Sequence, residues 1–397
     1  MRRKVGVFLD MVPHGGGAYQ YDLSILDAVA HLPPDQYDVT VVYTNEHWRL
    51  DIKNYSNVAA LYAYPSLLDR IMVKCLKFGL FPARLWKLIN TRLSSLAKQV
   101  AARDCHVWIF PSQDEWAYFF SVPALCSIHD LMHRYEPEFP EVSAFNKYLR
   151  REMHYKKLCK WCDGLLVDSQ TGKRQVTDSY TVRPDKIFVL PFVAAKYIYA
   201  DTMTERIDID YSLPEKFIFY PAQFWKHKNH ERLIHAIVAL RHEHPDLHMV
   251  FIGSKKNNYQ AIRDLVTSHG LDNQIHFLSY IPNEQVPQLY RRARAMIMPT
   301  FFGPTNIPPL EAFACGCPIA VSDIYAMPEQ VGDAALLFDP RSVEQIAACI
   351  KRLWLDDSLC EDLSKKGLER DQQWNQAHFN KQLSSIIDNI SAKRIYQ

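Results

Sequence analysis

Nowhere in the 397 residues do about 18 apolar residues run uninterrupted, which removes a membrane-spanning helix from the candidates. Net charge is scarce as well. The 46 Lys and Arg against 44 Asp and Glu leave a formal +2, too little for the whole chain to address a polyanion, so no nucleic-acid partner is expected. Internal repeats and low-complexity tracts are missing. An even cysteine framework is missing too: the nine cysteines are scattered, which fits reduced thiols rather than disulfides. Cys159-Lys-Trp-Cys162 and Cys315-Gly-Cys317 would make a zinc site only if a helix and a turn converged, so buried thiols are the expectation and no metal is assigned. The basic start Met1-Arg-Arg-Lys is followed by an apolar run, Val5–Leu9, that stops at Asp10, far short of a leader's apolar core. A cytoplasmic protein is expected.

One absence is local. From Arg70 to Arg103 there is no acid, against the basic residues Arg70, Lys74, Lys77, Arg84, Lys87, Arg92, Lys98 and Arg103. Apolar side chains are interleaved, and Phe78-Gly-Leu-Phe-Pro82 divides the stretch into two helices, the second spanning Ala83–Ala101 with Trp86 and Leu93 set apart from Arg84 and Lys87. Either this is a solvated helical face, or 70–103 is an amphipathic edge resting on an anionic membrane surface at the inner face of the cell membrane and receiving a lipid-linked acceptor.

What is present is a repeated alternation. Short β-rich runs at Val5–Leu9, Val39–Tyr43, Val107–Phe110, Leu125–Ile128, Leu165–Val167 and Ile187–Leu190 are separated by segments of helical period. The pattern restarts after Pro214 with Phe217–Tyr220, Met249–Ile252, Ile275–Leu278, Ala295–Met298, Ile319–Val321 and Leu336–Phe338. This predicts an α/β chain with two doubly wound parallel sheets. Expected boundaries are a first domain over 1–192, a linker over 193–213, a second domain over 214–370, and a C-terminal helix over 371–397 that packs back across the domains. The stretch Asp356–Ile390 reads as helical throughout, with Trp374, Phe379, Leu383 and Ile386 on one face.

Candidate chemistry falls at strand ends. His14-Gly-Gly-Gly17 follows the first strand and opens a helix, serving either a tight turn or close backbone approach to a phosphate or sugar at Gly16 and Gly17. His129-Asp130 stands at another strand end, where His129 either bonds a substrate or is satisfied by local backbone. In the second half, Gln223-Phe-Trp-Lys226-His-Lys228-Asn229 joins a strand to a helix. Its basic residues suit a diphosphate, and equally a solvated turn. Most informative is Met298 to Asp323: a strand, a Gly/Pro loop, a helix opening near Pro308-Pro309 with Glu311 in its first turn, and the next strand. Prolines at a helix start leave the remaining free N–H groups facing outward, which favours anions, and Glu311 can accept two ribose hydroxyls.

The segment Pro308-Pro-Leu-Glu-Ala-Phe-Ala-Cys-Gly-Cys-Pro318 resembles the carboxyl half of the Glu-x7-Glu motif of glycosyltransferase family 4, a retaining group with the GT-B fold. The resemblance extends to the glycine loop, His129-Asp130, Lys228-Asn229 and Gly253. It implies two Rossmann-like domains facing a central cleft and a sugar transfer with retained configuration. The donor would be a nucleotide-diphosphate sugar, GDP-mannose being the leading guess, and the acceptor a saccharide or lipid-linked chain of a surface polysaccharide. No cofactor or divalent metal would be required, the nucleotide sugar being a co-substrate. It further implies Glu311 on the ribose and Lys228, helped by Lys226, on the diphosphate. Tyr280 and Ile281 would lie near the base, and His129 near the transferred sugar with Asp130 beside it. Gly16 and Gly17 fall near the phosphates. Gly253, Thr305, Asn306 and Ile307 line the donor.

This sequence departs from the pattern twice. Gly303 stands where the motif has its first Glu, which usually touches sugar hydroxyls, so Thr305 or Asn306 is expected to supply that contact. Gln223 stands where an arginine is usual, five residues before the lysine. These departures keep open the reading of a non-catalytic sugar- or nucleotide-binding partner of a larger assembly, and the shared two-domain fold keeps open a nucleotide-sugar epimerase.

Overall fold

A computed structural model describes residues 2–199, 213–278 and 281–395. The chain divides into two compact units. The first takes the chain up to Tyr135, Phe145–Phe192 and everything from Gln376 onward, and the second takes Glu136–Ala144 and Val193–Asn375. Of the expected linker, 200–212 lies outside the described residues, while Ala195 and Ile198 are buried in the second core.

The first unit holds seven strands: β1 Arg3–Leu9, β2 Tyr37–Tyr43, β3 Val58–Tyr62, β4 Val107–Phe110, β5 Ala124–Ser127, β6 Gly164–Val167 and β7 Ile187–Val189. Their order is β3-β2-β1-β4-β5-β6-β7, every neighbouring pair parallel. The second holds β8 Ile218–Pro221, β9 Met249–Ile252, β10 Ile275–Leu278, β11 Ala295–Met298, β12 Ile319–Ser322 and β13 Leu336–Phe338, in the order β10-β9-β8-β11-β12-β13, again all parallel. Strands covered on both faces read as continuous apolar runs, and β4, β5, β9 and β11 are buried at every position. In each sheet the strand order reverses direction once, between β1 and β4 and between β8 and β11. Open α/β sheets bind ligands beyond the carboxyl ends of such a pair, because the connecting helices diverge to opposite faces there.

Three expectations are corrected. The edge strand β3 carries no apolar alternation, since Ala59, Ala60 and Tyr62 are exposed, and the sequence signal is lost with it. The last stretch is two helices, Asp357–Gln373 and Gln376–Ile395, because Trp374 leaves helical geometry at φ −141°, ψ 98°. The helix expected over Ala83–Ala101 is divided at Ser94, which turns extended and caps Ser95–Ala101 by accepting from the Ala97 N–H at 2.9 Å. Among the described residues no helix is long and apolar enough to cross a membrane.

Beneath the β1/β4 reversal lies Asp22, fully buried on the helix Gly17–Ala30, accepting from Ser112 Oγ at 2.5 Å. Burial, partly offset by the Ser112 hydrogen bond and reinforced by Asp10, pushes its carboxyl up to about 8. An unfolded aspartate titrates near 3.9. Between these values the unfolded chain has released the proton that the native chain keeps, so stability falls as pH rises across that window. Asp22→Asn removes the titration. The variant's thermal midpoint is therefore expected to gain on the unaltered protein between pH 5 and pH 8, and an equal difference at both pH values would refute the assignment.

Candidate functional site

In the first unit the loops after β1, β4 and β5 carry the candidates. Gly16 adopts φ 62° as the residue before the helix Gly17–Ala30, a conformation that costs glycine little, while Gly17 opens the helix itself. His129, two residues past β5, is half-buried. Its backbone N–H donates to Gln113 Oε1 at 2.9 Å, and its Nε2 lies 3.0 Å from the Pro111 carbonyl, which assigns the ring proton to Nε2. Its ring meets Tyr21 edge-on at 4.9 Å and Phe192 at 5.8 Å. Burial drives its pKa down to about 4 against the opposing pull of Asp130 and the Pro111 carbonyl, so the imidazole is neutral near pH 7. Asp130 is ion-paired with Arg151 and accepts from the Met132 N–H at 2.9 Å. Those bonds outweigh burial and keep it ionised. Gln113 and Arg151 thus hold His129-Asp130, yet neither stood out in the sequence, one being a loop glutamine and the other one charge among many on the helix Lys147–Trp161.

In the second unit the loops after β8 and β11 meet. Lys226–Lys228 forms a single 3-10 turn, followed by Asn229 at φ 59° and the helix His230–Leu240. Asn229 Nδ2 donates to the carbonyls of Pro299 (2.9 Å) and Pro340 (2.8 Å), and Tyr220 OH donates to the Lys228 carbonyl at 2.9 Å. The turn is thereby fixed to the ends of β8, β11 and β13. Lys228 Nζ reaches Asn306 Oδ1 at 3.3 Å. Asn306 is itself gripped through its backbone by Gln330, which accepts from its N–H (3.0 Å) and donates to its carbonyl (2.6 Å). Gln223 instead faces Trp225, accepting from its indole N–H at 2.8 Å. Gly253 has φ 149°, and a Cβ there would stand 2.2 Å from the Ala222 carbonyl oxygen, so close approach of the β8 and β9 ends accounts for it. Tyr280 lies outside the described residues, and the Ile281 side chain is buried in the second core.

The helix after Asn306 spans Ile307–Ala314, so Glu311 sits in its second turn and not its first. With prolines at 308 and 309, the N–H groups of Ile307 and Leu310 are the donors left in the first turn. Glu311 is buried: Oε1 accepts from Tyr197 OH at 2.7 Å and Oε2 from Tyr290 OH at 2.9 Å. Burial raises its pKa, and the two phenols pull it back. A carboxylate has about four lone-pair sites, so two remain for a diol after the phenols take theirs. Gln330 and the two tyrosines were missed because nothing in their local sequence links them to residues more than 20 positions away.

Two parallel-sheet α/β units with carboxyl-edge loops of this kind make up the GT-B fold. The fold is shared with the crystal structure of Anabaena Alr3699/HepE in complex with UDP-glucose, at a TM-score of 0.73 and 15% identity, covering 97% of this chain and 99% of that one. Residues 204–370, which fall in the second unit, match the family described as Glycosyl transferases group 1. The serotype-specific mannosyltransferase WbdA of Escherichia coli is 26% identical over 285 residues, which is 66% of this chain and 34% of that protein. The O-antigen chain mannosyltransferase B of Escherichia coli is 40% identical over 101 residues, 25% of this chain and 26% of that protein. The chain thus spans about a third or less of the length of these curated relatives.

The geometry makes Asn229 the tie on which the Lys228 turn depends. Asn229→Ala removes two buried hydrogen bonds and puts alanine, which tolerates left-handed backbone less well than asparagine, at φ 59°, with an expected loss of about 2–4 kcal/mol of unfolding free energy in urea. Asn229→Gly, which accepts the backbone but lacks the amide, should recover only part of it.

Proposed function

We propose that the chain is a glycosyltransferase that moves a sugar from a nucleotide-diphosphate donor to a saccharide or lipid-linked acceptor in surface-polysaccharide synthesis. The observation that carries this reading is the convergence, at the β8/β11 reversal, of a fixed lysine turn with a helix start and the phenol-held Glu311, within a group 1 glycosyl transferase domain. The mannosyltransferases among the relatives support GDP-mannose as the donor.

In this reading Glu311 accepts the ribose diol on the lone pairs that Tyr197 and Tyr290 leave. Lys228 faces the outer phosphate. As the bond from the sugar's anomeric carbon to that phosphate breaks, negative charge grows on the leaving oxygen, and a cation already in place stabilises the transition state more than the bound donor. The acceptor hydroxyl adds to the anomeric carbon on the face the phosphate leaves, and its proton passes to the leaving diphosphate. This gives retention and needs no divalent metal. Asn306, bonded to Lys228, supplies the polar group for the sugar that Gly303, having no side chain, does not offer. His129, neutral and donating through Nε2 to Pro111, is assigned to the transferred sugar, with Asp130 fixing the charge beside it.

Lys228→Ala is expected to lower turnover on the order of a hundredfold, the scale of removing one preorganised charge contact. Glu311→Ala should mainly weaken donor binding, and His129→Ala should slow transfer with nucleotide affinity nearly intact. Steady-state kinetics on the three variants, after UDP, GDP, dTDP and ADP are compared by thermal shift, checks this. Near-normal turnover by Lys228→Ala moves the phosphate role to Lys226, and full activity in all three returns the chain to a binding role.

We further assign the helices Leu67–Lys77 and Ala83–Leu93 to an anionic membrane surface. Leu67, Leu68, Ile71, Leu80, Leu85, Leu88 and Leu93 are exposed, and so are Arg70, Lys74, Arg84 and Arg92. Trp86, expected on this face, turns into the core with its indole N–H on the Phe119 carbonyl, and Lys77 turns inward to Glu115. Exposed leucines among cations favour an acidic lipid interface over water. Vesicles rich in acidic lipid should sediment the protein at low salt and release it at high salt, and no sedimentation at low salt defeats the assignment.

A further inference from the structure

The nine residues Glu136–Ala144 leave the first unit's chain and cluster with the second. They lie along the carboxyl edge of the second sheet and touch loops on both sides of the β8/β11 reversal. Glu141 Oε1 accepts from the Lys226 N–H at 2.7 Å, in the loop after β8, and from Asn257 Nδ2 at 3.0 Å, in the loop after β9. Phe139 packs against Phe301 at 5.1 Å and Phe302 at 5.4 Å, in the loop after β11. Glu136 accepts from Tyr325 OH after β12 and stands 3.4 Å from Arg341 after β13.

The anchor on the lysine turn is the most developed of these. The Glu141 side chain is 8% exposed, and the His227 ring stands between it and Phe302, with Nδ1 3.7 Å from Glu141 and its plane stacked on Phe302 at 3.8 Å and 9°. The His227 carbonyl accepts from the Phe301 N–H at 2.9 Å, so the middle residue of the turn is held by both backbone and ring. Burial opposes ionisation of Glu141, but the nearby His227 ring, its own backbone N–H and the Asn257 amide prevail and bring its carboxyl down to about 2. The group is therefore an anion throughout the neutral range, and its bond to a backbone N–H is charge-assisted. It fixes the first residue of the turn, as Asn229 fixes the residue after the last.

We propose that Glu136–Ala144 is a strap, and that its Glu141 is a positioning residue that sets the Lys226–Lys228 turn to receive the donor's diphosphate. This rests on the donor reading above and adds to it a residue from the other half of the sequence. A lysine ammonium on a turn that is tied at one end swings through more orientations than one tied at both, and each orientation given up on binding costs affinity for the phosphates while leaving the base and ribose contacts unchanged.

The distinguishing readout is the advantage of a nucleoside diphosphate over its nucleoside. Binding of UDP and GDP, and of uridine and guanosine, is measured on the full chain by ligand-detected NMR, with thermal denaturation alongside. Glu141→Ala is expected to weaken the better-bound diphosphate about tenfold, the scale of one charge-assisted hydrogen bond, and to leave its nucleoside unchanged. Glu141→Gln keeps an oxygen acceptor for both donors and should recover most of the loss. Unchanged diphosphate binding by Glu141→Ala overturns the proposal, as does an equal loss for the nucleoside, which would mark a general structural role. If Glu141→Ala does not fold, Asn257→Ala carries the same comparison, and the same two results overturn the proposal. Lys228→Ala separates the two readings: if it spares diphosphate binding, the donor-loop assignment falls and takes the strap's role with it. If it abolishes the diphosphate advantage while Glu141→Ala does not, the strap's role alone falls. No binding of either diphosphate by the unaltered chain overturns both.

Discussion

A parallel sheet delivers all its strands to one edge and then lets their loops separate, so anything built on that edge needs side chains to tie loop to loop. In the second unit that tie is Asn229. One amide, presented from left-handed backbone, bonds two carbonyls that follow different strands, and the lysine before it acquires a fixed address in consequence. The other ties build outward from there: Tyr220 holds the Lys228 carbonyl, Gln330 holds Asn306 at both backbone groups, and Asn306 meets the Lys228 ammonium. Most are side-chain bonds to backbone, which keep loops rigid without making them apolar.

The buried acids show how environment divides one chemistry into several. Asp22 has a hydroxyl for a partner and a second acid nearby, so burial wins and it keeps its proton. Asp130 has a guanidinium and a backbone donor, and it stays ionised. Glu141 has N–H donors and a histidine, with the same result. Glu311 is held by two phenols, and burial outweighs them to leave its pKa raised.

What the sequence disclosed followed burial. Runs such as Val107–Phe110 and Ala295–Met298 are legible because both faces of the strand are covered, leaving no polar residue to interrupt them. Val58–Tyr62 is an edge, half exposed, and its alanines carry no period. The prolines at 308 and 309 suggested a helix start one residue too late, and so Glu311 was placed a turn too early. His129, Lys228 and Glu311 could be picked out by type and position after strands, yet their holders could not. Gln113, Arg151, Tyr197, Tyr290 and Gln330 act across distances that only the fold closes. The strap was least legible of all, because Glu136-Pro-Glu-Phe-Pro-Glu-Val has neither a helical nor a strand period and its anchors on the second sheet lie at least 85 positions away.

The break at Trp374 has a consequence for how the molecule is made. The helix before it packs on Ile307–Ala314 in the second unit, and the helix after it lies on Gly17–Ala30 in the first, with Asp388 receiving Arg3 at 2.7 Å and Tyr37 at 2.5 Å. On the ribosome, the residues of the second unit have all been synthesised before the segment that completes the first. The earlier-born sheet must therefore wait with the Gly17–Ala30 flank uncovered while its later neighbour is already whole. Order of synthesis and order of completion are reversed between the two units, and turns made after the second unit close the first.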